Sequence, residues 1–347
     1  MDAIRFLLAI WVLLAHGLGW TTYLGRLNSD SILWYINVAL LKIFQTSGET
    51  HPAVLGFIVL SGYCIHRNGF RLGNSFSLKS YAIRRSFRIL PVYWLASIIG
   101  VALWFFGMQN DGKLVEALTG TSSISLGCFL VKISGVASFI PTLFTCSFQG
   151  NAPLATAIVE SWLYVFYGLV VWRLMRHEGL KGIYWIFGIG WACSFLIVIF
   201  NQSYAGWWHN SSFFAFGVYW WIGAKFSEKD FMPNARLIII SILVLIPSFI
   251  YSNLILVELK KIGLCIIFAY LIKWADGYWR QSKYMAIGGQ AGYSIYALHA
   301  PVLIALLMFN IPLYFGICVV LILSFLCHYL FELPILNYGK RLSRQNV

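Results

Sequence analysis

The chain has 347 residues, of which 60% are hydrophobic, 18% are aromatic and only 11% are charged. Because a soluble domain carries about 25% charged residues, this composition excludes a soluble globular fold. The net charge of +13 at pH 7 would indicate nucleic acid binding in a soluble protein. In a membrane protein the same excess indicates basic loops on the cytoplasmic face, so we expect no nucleic acid partner.

Long, continuous apolar runs predict an all-α polytopic membrane protein that forms one domain over residues 1–347. One crossing needs about 20 apolar residues, so the length accommodates about ten transmembrane helices. The predicted spans, in chain order, cover residues 6–24, 52–65 (with 32–44 extending it or lying at the interface), 91–107, 154–172, 182–200, 211–226, 237–252, 254–274, 288–309 and 313–331. The run 124–144 is interrupted by Gly127, Gly135 and Pro141, which predicts one further broken or re-entrant element.

Basic residues indicate which loops face the cytoplasm. Six of them lie in the segment 67–88, and others follow the spans that end near 172, 226, 274 and 331. These basic segments follow every second crossing, so they all lie on the same face of the membrane. Both termini lie on that face as well and are therefore predicted to be cytoplasmic. The seven cysteines are scattered and form no C-x-x-C pair, so neither a metal site nor a disulfide framework is predicted.

The first span carries two ionisable residues, Arg5 and His16. They are eleven residues apart, close to three helical turns, so their side chains lie on nearly the same helix face, about 16 Å apart along the axis. An ionisable group within a span is costly and indicates function. The alternative is that Arg5 anchors the span at the cytoplasmic boundary and that His16 is a hydrogen-bonded histidine of the bundle.

Three arginines, Arg84, Arg85 and Arg88, precede the third predicted span. Arg85 and Arg88 are three residues apart and therefore share one helix face. Two guanidinium groups placed in this way would bind phosphate groups through bidentate hydrogen bonds. The alternative is that this charge sets the topology and contacts lipid headgroups.

Two further ionisable residues, Glu160 and His299, lie inside later spans. At 1.5 Å per residue, each lies about 16–18 Å from the inner end of its span, so both are predicted to reach the depth of His16. Uncompensated burial of the Glu160 carboxylate would be very unfavourable, and a structural ion pair is the alternative to a catalytic role. Glu332 ends the last span, where it would either orient the arginines or pair locally.

Six short motifs follow one another along the chain. They are Arg5 with His16, GFIVLSG at 56–62, RRSFRILPVYW at 84–94, Leu154 with Glu160 and Tyr164, YSIYALHAP at 293–301, and Glu332 with Pro334. Together they resemble the acyltransferase-3 family of integral-membrane O-acyltransferases, and the resemblance covers nearly the whole chain.

This resemblance implies transfer of an acyl group, usually acetyl, from cytoplasmic acetyl-CoA to a hydroxyl of a cell-envelope carbohydrate. The acceptor classes it implies are capsule, exopolysaccharide, lipopolysaccharide and lipid-linked sugars. It also implies a multi-pass protein of the bacterial inner membrane that contacts lipid and uses no metal. A proton-coupled transporter of a small solute is the competing class, because buried histidine and glutamate residues with a basic inner mouth also fit a carrier.

The residues that match the family motifs receive their expected roles from the same resemblance. His16 is the expected general base, because a neutral imidazole accepts a hydroxyl proton near neutral pH. Glu160 and His299 are the other expected catalytic residues. The residues expected to bind the CoA donor are Arg5, Arg84, Arg85, Arg88 and Ser61, and a covalent acyl-enzyme on His16 or Ser61 is left open. Tyr164 and Glu332 are expected to orient the others.

Overall fold

The structure is a computed structural model that describes residues 1–26, 31–44, 50–72, 76–119, 125–140, 143, 151–171, 181–200, 209, 212–229, 231, 234–250, 254–278 and 283–345. Every regular element in these residues is helical, and none is a strand. This confirms the predicted all-α class. The physical reason is that a helix satisfies its own backbone hydrogen bonds, which an apolar run in lipid requires.

The described chain contains fourteen α-helices. In chain order they are α1 (Asp2–Tyr23), α2 (Ile32–Phe44), α3 (Pro52–Leu72), α4 (Leu78–Thr119), α5 (Leu126–Ser134), α6 (Leu154–Phe166), α7 (Lys181–Phe200), α8 (Phe213–Ser227), α9 (Ala235–Ile250), α10 (Leu254–Tyr278), α11 (Lys283–Gln290), α12 (Gly292–Met308), α13 (Leu313–Cys327) and α14 (Leu333–Arg344). Single π-helical turns continue α6 at Tyr167–Val171 and α13 at His328–Glu332. Such turns are rare and occur frequently at functional sites.

The number of membrane-crossing helices differs from the prediction. Three helices of the described chain are long and apolar enough to cross a membrane. They are α1, the part of α4 from Leu78 to Glu116, and the continuous helix Leu313–Arg344 that consists of α13, its π-helical turn and α14. The pair Tyr284–Gln290 and Gly292–Met308 adds a fourth if it forms one span. The predicted count of ten is therefore wrong for the described residues. Several apolar runs fold into helices that are too short, and α10 carries three charged residues near its start.

The arginines of the predicted cytoplasmic loop lie within a helix. α4 begins at Leu78, and the hydroxyl of the preceding Ser77 accepts a hydrogen bond from the Ser80 backbone N–H at 3.3 Å. Serine is favoured at such a position because it satisfies a free N–H of the first turn. The predicted start at Pro91 is wrong, because Pro91 lies inside α4. Proline is common in the first turn of helices, which makes it a misleading start signal here.

The ninth predicted span is divided at Ala291. α11 and α12 meet there at an angle of 62°. The bend packs closely against the beginning of α1, because a Cβ atom at Gly289 would lie only 1.9 Å from the Asp2 carbonyl oxygen. A Cβ atom at Gly292 would lie 3.6 Å from the Arg5 Cβ atom. The bend therefore fixes the position of Arg5 against α12.

The run 124–144 is interrupted at Gly135 as predicted, whereas Gly127 lies inside α5 and Pro141 lies outside the described residues. α5 is preceded by Ser125, whose hydroxyl accepts a hydrogen bond from the Cys128 N–H at 3.5 Å. The helix ends at Gly135, which has φ +75°, a left-handed conformation that glycine adopts without steric cost. Cys128 is disulfide-bonded, which the scattered cysteine pattern does not predict.

α3 and α8 pack backbone against backbone. A Cβ atom at Gly62 would lie 1.9 Å from the Trp220 carbonyl oxygen, and one at Gly223 would lie 2.0 Å from the Val59 carbonyl oxygen. Small residues allow membrane helices to approach this closely. The close contact brings Ser61 within 3.3 Å of the Trp220 indole nitrogen, which donates a hydrogen bond to the serine hydroxyl.

We expect Gly223→Ala to destabilise the protein by about 3 kcal/mol, because the added methyl group meets backbone atoms that cannot rotate away. The measurement is the Tm of the detergent-solubilised protein. Gly188→Ala on α7 is the matched control, since a Cβ atom there meets nothing within 4 Å. A Gly223→Ala protein that melts with the wild type would contradict the close packing of α3 and α8.

Candidate functional site

A cavity of about 70 Å³ lies where five helices converge, and we call it the arginine cavity. α1 contributes Arg5, α4 contributes Arg85 and Arg88, and α6 contributes Glu160 and Tyr164. α3 and α12 complete the polar part of the wall with Ser61, Cys64, Tyr293 and Tyr296. Three guanidinium groups and one carboxylate therefore line the same small volume.

Two of the three guanidinium groups, those of Arg85 and Arg88, form no ion pair with a described residue. Arg5 pairs with Asp2 at 2.5 Å and donates a hydrogen bond to the Cys64 Sγ atom at 3.5 Å. Arg85 and Arg88 make no ion pair or side-chain hydrogen bond with any described residue, and Arg85 Nε is buried without a partner. An unpaired cation inside a helix bundle is unfavourable, so these two groups provide a binding site for an anion.

The Arg85 guanidinium is held between two aromatic rings. Its Cζ atom lies 5.7 Å from the centre of the Tyr81 ring and 5.5 Å from that of Tyr164. Arginine is attracted to the faces of aromatic rings at such distances. Tyr81 also donates a hydrogen bond to the Tyr164 carbonyl oxygen at 3.1 Å, which ties α4 to α6 beside the cavity.

A chain of hydrogen bonds crosses the wall of the arginine cavity. Trp220 donates to the Ser61 hydroxyl at 3.3 Å, Ser61 donates to the Tyr164 hydroxyl at 2.9 Å, and Tyr164 donates to the Glu160 carboxylate. Each donor is used once, so the chain has a fixed direction that ends on the carboxylate. Glu160 is thereby held in place while its second oxygen remains available.

His16 of α1 and His299 of α12 lie against each other, with ring centroids 5.1 Å apart. His299 is fully buried, and His16 is half-buried with its ring 5.0 Å from that of Trp20. The structure brings these two predicted residues together, in agreement with the equal depth expected for them. We call them the histidine pair.

The hydrogen bonding of His299 fixes its tautomer. Nδ1 lies 2.6 Å from the Tyr296 carbonyl oxygen. Because a carbonyl oxygen only accepts, Nδ1 carries the proton and Nε2 keeps its lone pair. Nε2 is buried and has no hydrogen-bond partner within the described chain. A nitrogen in this state is able to accept a proton or a hydrogen bond from a hydroxyl group.

Tyr296 connects the histidine pair to the arginine cavity. It lines the cavity, and its ring centroid lies 5.8 Å from that of His299 and 5.5 Å from that of Phe57. Its hydroxyl donates a hydrogen bond to the Pro153 carbonyl oxygen at 2.7 Å. One aromatic side chain therefore separates the unpaired guanidinium groups from the imidazole rings.

Three further predicted site residues, Glu160, Arg84 and Glu332, differ in their surroundings. Glu160 belongs to the arginine cavity instead of joining the histidine pair. Arg84 is not among the described residues that line the cavity. Glu332 accepts hydrogen bonds from His328 at 2.8 Å and Ser294 at 2.7 Å, which is the local pairing expected as one of its two alternatives. Sequence spacing gives depth along a helix but not the rotation of one helix against another.

Sequence patterns do not indicate His51, which lies just before α3. Its ring centroid is 5.6 Å from that of Trp11 on α1, and its Nδ1 atom accepts a hydrogen bond from the Ala53 N–H at 3.2 Å. The remaining ring nitrogen, Nε2, therefore carries the proton. The signal that would identify this residue is a histidine directly before the proline that begins a span.

A second buried polar cluster joins α7, α8 and α10. Glu258 accepts hydrogen bonds from Tyr219 at 2.8 Å and Trp191 at 3.3 Å, and it pairs with Lys261 and His209. The predicted topology places Lys261 toward the outer face, whereas its side chain is buried. The three-residue spacing of an acid and a base within an apolar run is the signal for this pair.

The site thus combines a cavity lined by three guanidinium groups with an imidazole whose Nε2 atom has no hydrogen-bond partner among the described residues. These are the requirements for holding a phosphorylated donor and for removing a proton from a hydroxyl group. Comparisons with protein-family models, with curated proteins and with solved structures find no match for this chain.

Proposed function

We propose that this protein is a membrane O-acyltransferase that moves an acyl group, in the simplest case acetyl, from acyl-CoA to a hydroxyl of a cell-envelope carbohydrate or lipid-linked sugar. The observation that carries the proposal is the arginine cavity: Arg85 and Arg88 form no ion pair there with any described residue, and Tyr296, which lines the cavity, contacts the histidine pair. A purely structural bundle would pair such groups, because an unpaired buried charge is costly.

The donor would be held by its phosphate groups. Arg85 and Arg88 offer charge-assisted hydrogen bonds to phosphate oxygens, with Arg5 fixed nearby through Asp2. The arginine cavity holds only about 70 Å³, whereas pockets for drug-sized ligands measure about 300–1,000 Å³. Most of a CoA molecule would therefore extend toward the cytoplasm, and its pantetheine arm would pass Tyr296 to reach the histidine pair.

Transfer would take place at the histidine pair. The acceptor hydroxyl oxygen forms a bond to the thioester carbonyl carbon while His16 removes its proton, and the carbon–sulfur bond breaks. The proton then passes to the CoA thiolate, so the imidazole returns to its neutral state. His299, whose Nε2 atom has no hydrogen-bond partner among the described residues, accepts a hydrogen bond from a second hydroxyl of the acceptor and so directs the reacting hydroxyl toward the thioester.

Direct transfer is favoured over an acyl-serine intermediate. A nucleophilic serine needs an adjacent base to remove its proton. Ser61 instead donates to the Tyr164 hydroxyl and accepts from Trp220. We therefore assign Ser61, Tyr164 and Glu160 to positioning the donor and shaping the arginine cavity.

We infer that both termini face the cytoplasm of a bacterial inner membrane. The last helix, α14, carries basic residues in its final turn, as expected for a cytoplasmic end. The disulfide at Cys128 supports an outward position for α5, because disulfides persist in oxidising compartments.

The test of the proposed function uses the purified full-length protein with acetyl-CoA. We expect saturable binding of CoA by calorimetry, and loss of O-acetyl groups from envelope glycans by mass spectrometry when the gene is deleted. Absence of CoA binding would overturn the proposal. Proton-driven uptake of a solute into vesicles, without acetyl-CoA dependence, would favour the competing transporter class.

CoA is expected to protect Cys64 from alkylation, because this half-buried thiol lines the arginine cavity. The measurement is the rate of iodoacetamide modification at each cysteine by peptide mass spectrometry, with and without CoA. Cys193 on α7 is exposed and serves as the internal control, whose rate should not change. Equal slowing at both residues would indicate a general effect on the protein and would contradict binding in the cavity.

A further inference from the structure

An apolar groove of about 550 Å³ runs along the outside of the bundle beside the arginine cavity, and we call it the lateral groove. One wall is α4 and the other is α6 with its π-helical turn. Four of its lining side chains are large, apolar and 37–57% exposed: Leu78, Leu90, Val165 and Leu169. In a membrane this surface faces lipid, so the natural contents of the groove are hydrocarbon.

The length of the lateral groove matches one leaflet. Its lining residues on α4 extend from Leu78 to Leu90, which corresponds to about 18 Å at 1.5 Å per residue. The hydrocarbon core of a bilayer is about 30 Å thick, so the groove covers about half of it. Because α4 begins at the basic, cytoplasmic end, the half it covers is the inner leaflet.

Among the described residues that line the lateral groove, only Lys79 and Arg85 are charged. Lys79 lies at the beginning of α4, and the Arg85 guanidinium leans back over the Tyr81 ring of the preceding turn. Helical side chains point toward the N-terminus of their helix, so both side chains lean toward the end of the groove where α4 begins. Beyond Arg85, the lining residues of α4 are Ser86, Ile89 and Leu90, which are uncharged, while Arg88 lines the arginine cavity.

The lateral groove and the arginine cavity share a wall. Arg85, Ile89 and Tyr164 line both of them. A molecule in the groove is therefore separated from the candidate site by side chains alone, and not by a helix backbone. This arrangement permits a substrate to approach the site sideways from the membrane.

We propose that the lateral groove binds a lipid phosphate, that is, a hydrocarbon chain with a phosphate group attached directly to it. The phosphate would lie on Lys79 and Arg85 and the chain along the apolar wall toward Leu90. Direct attachment matters because the cations and the apolar wall adjoin each other. In an acyl-CoA the pantetheine arm separates the phosphates from the acyl chain, so that molecule fits this pattern poorly.

The identity of this lipid phosphate as the acyl acceptor rests on the proposed function, whereas its binding does not. A sugar joined to a membrane lipid through phosphate would present its hydroxyl groups beside Arg85, next to the arginine cavity. Among the acceptor classes considered, the groove therefore selects lipid-linked sugars over free polysaccharides.

The experiment measures binding of hexadecyl phosphate to the full-length protein in a neutral maltoside detergent by native mass spectrometry. We expect saturable binding of one molecule, and none of hexadecanol, which lacks the phosphate. Val165→Trp should abolish this binding by filling the groove, while CoA binding stays unchanged. Ile98→Trp is the control, because Ile98 lies on α4, the helix that forms the other wall, is more exposed than Val165 and is outside the groove.

A second variant keeps the test valid if Val165→Trp does not fold. Lys79→Gln changes an exposed side chain and should raise the Kd for hexadecyl phosphate about tenfold, as expected for loss of one charge-assisted contact. Equal binding of phosphatidylglycerol and hexadecyl phosphate would show an ordinary lipid site and overturn the proposal. Unchanged binding in both variants would also overturn it. Loss of CoA binding with retained lipid phosphate binding would count only against the proposed function.

Discussion

Replacing His16 with alanine is expected to lower the acyl-transfer rate about 10²–10⁴-fold, the range typical for loss of a general base. The affinity for acetyl-CoA should not change, because His16 does not line the arginine cavity that would hold the phosphates. The measurement is the initial rate of CoA release in the presence of acceptor, with the Kd for CoA determined on the same sample.

The contact between His16 and His299 allows a stricter test of the general base than the single His16→Ala substitution. Their ring centroids are 5.1 Å apart, so the two residues should act as one unit. The double variant His16→Ala/His299→Ala is then expected to be little slower than the slower single variant, because groups that act together are not additive. Wild-type turnover by a folded His16→Ala protein would refute the assignment of the base.

Replacing Arg85 and Arg88 together with alanine is expected to raise the Kd for CoA about 30-fold or more. Truncating one side of a buried charge pair costs about 2–5 kcal/mol, and 1.4 kcal/mol corresponds to tenfold in affinity. The remaining binding should depend less on salt than that of the wild type, since fewer charges are neutralised. Calorimetry at two ionic strengths measures both quantities.

The same double variant separates ligand binding from a structural role. Neither guanidinium has an anionic partner in the described chain, so their removal should not lower the Tm of the protein without ligand. CoA should raise the Tm of the wild type and fail to raise that of the variant at the same concentration. Arg236→Ala removes an exposed charge at the beginning of α9 and serves as the control. Unchanged CoA affinity in the double variant would contradict the donor site.

Local spacing predicts those parts of the site that depend on one helix. Arg85 and Arg88 share a face because they are three residues apart, and both line the arginine cavity. The hydrogen bond from Tyr164 to Glu160 likewise follows from a spacing of four residues on α6. Such relations depend only on helical geometry, which every sequence of this type adopts in the same way.

Relations between helices are not contained in spacing. Glu332 accepts a hydrogen bond from Ser294 on α12, and Glu258 accepts one from Tyr219 on α8, because the rotation of each helix depends on its packing. The packing of α3 against α8 depends in turn on the Gly62 and Gly223 positions, where backbone meets backbone. The lateral groove has no sequence signature at all, because it is a gap between two ordinary apolar helices.

Composition and hydrophobic pattern by themselves determined that the chain is all-helical, that several helices are apolar enough for lipid, and where its ionisable residues lie along each helix. Tertiary structure alone decided how many apolar runs form full-length helices, which charges have partners, and which cavity each side chain lines. The physical reason is that the free energy of transferring a segment into lipid is a sum over its residues. Ion pairing and cavity formation instead require atoms from several helices to meet within a few ångströms.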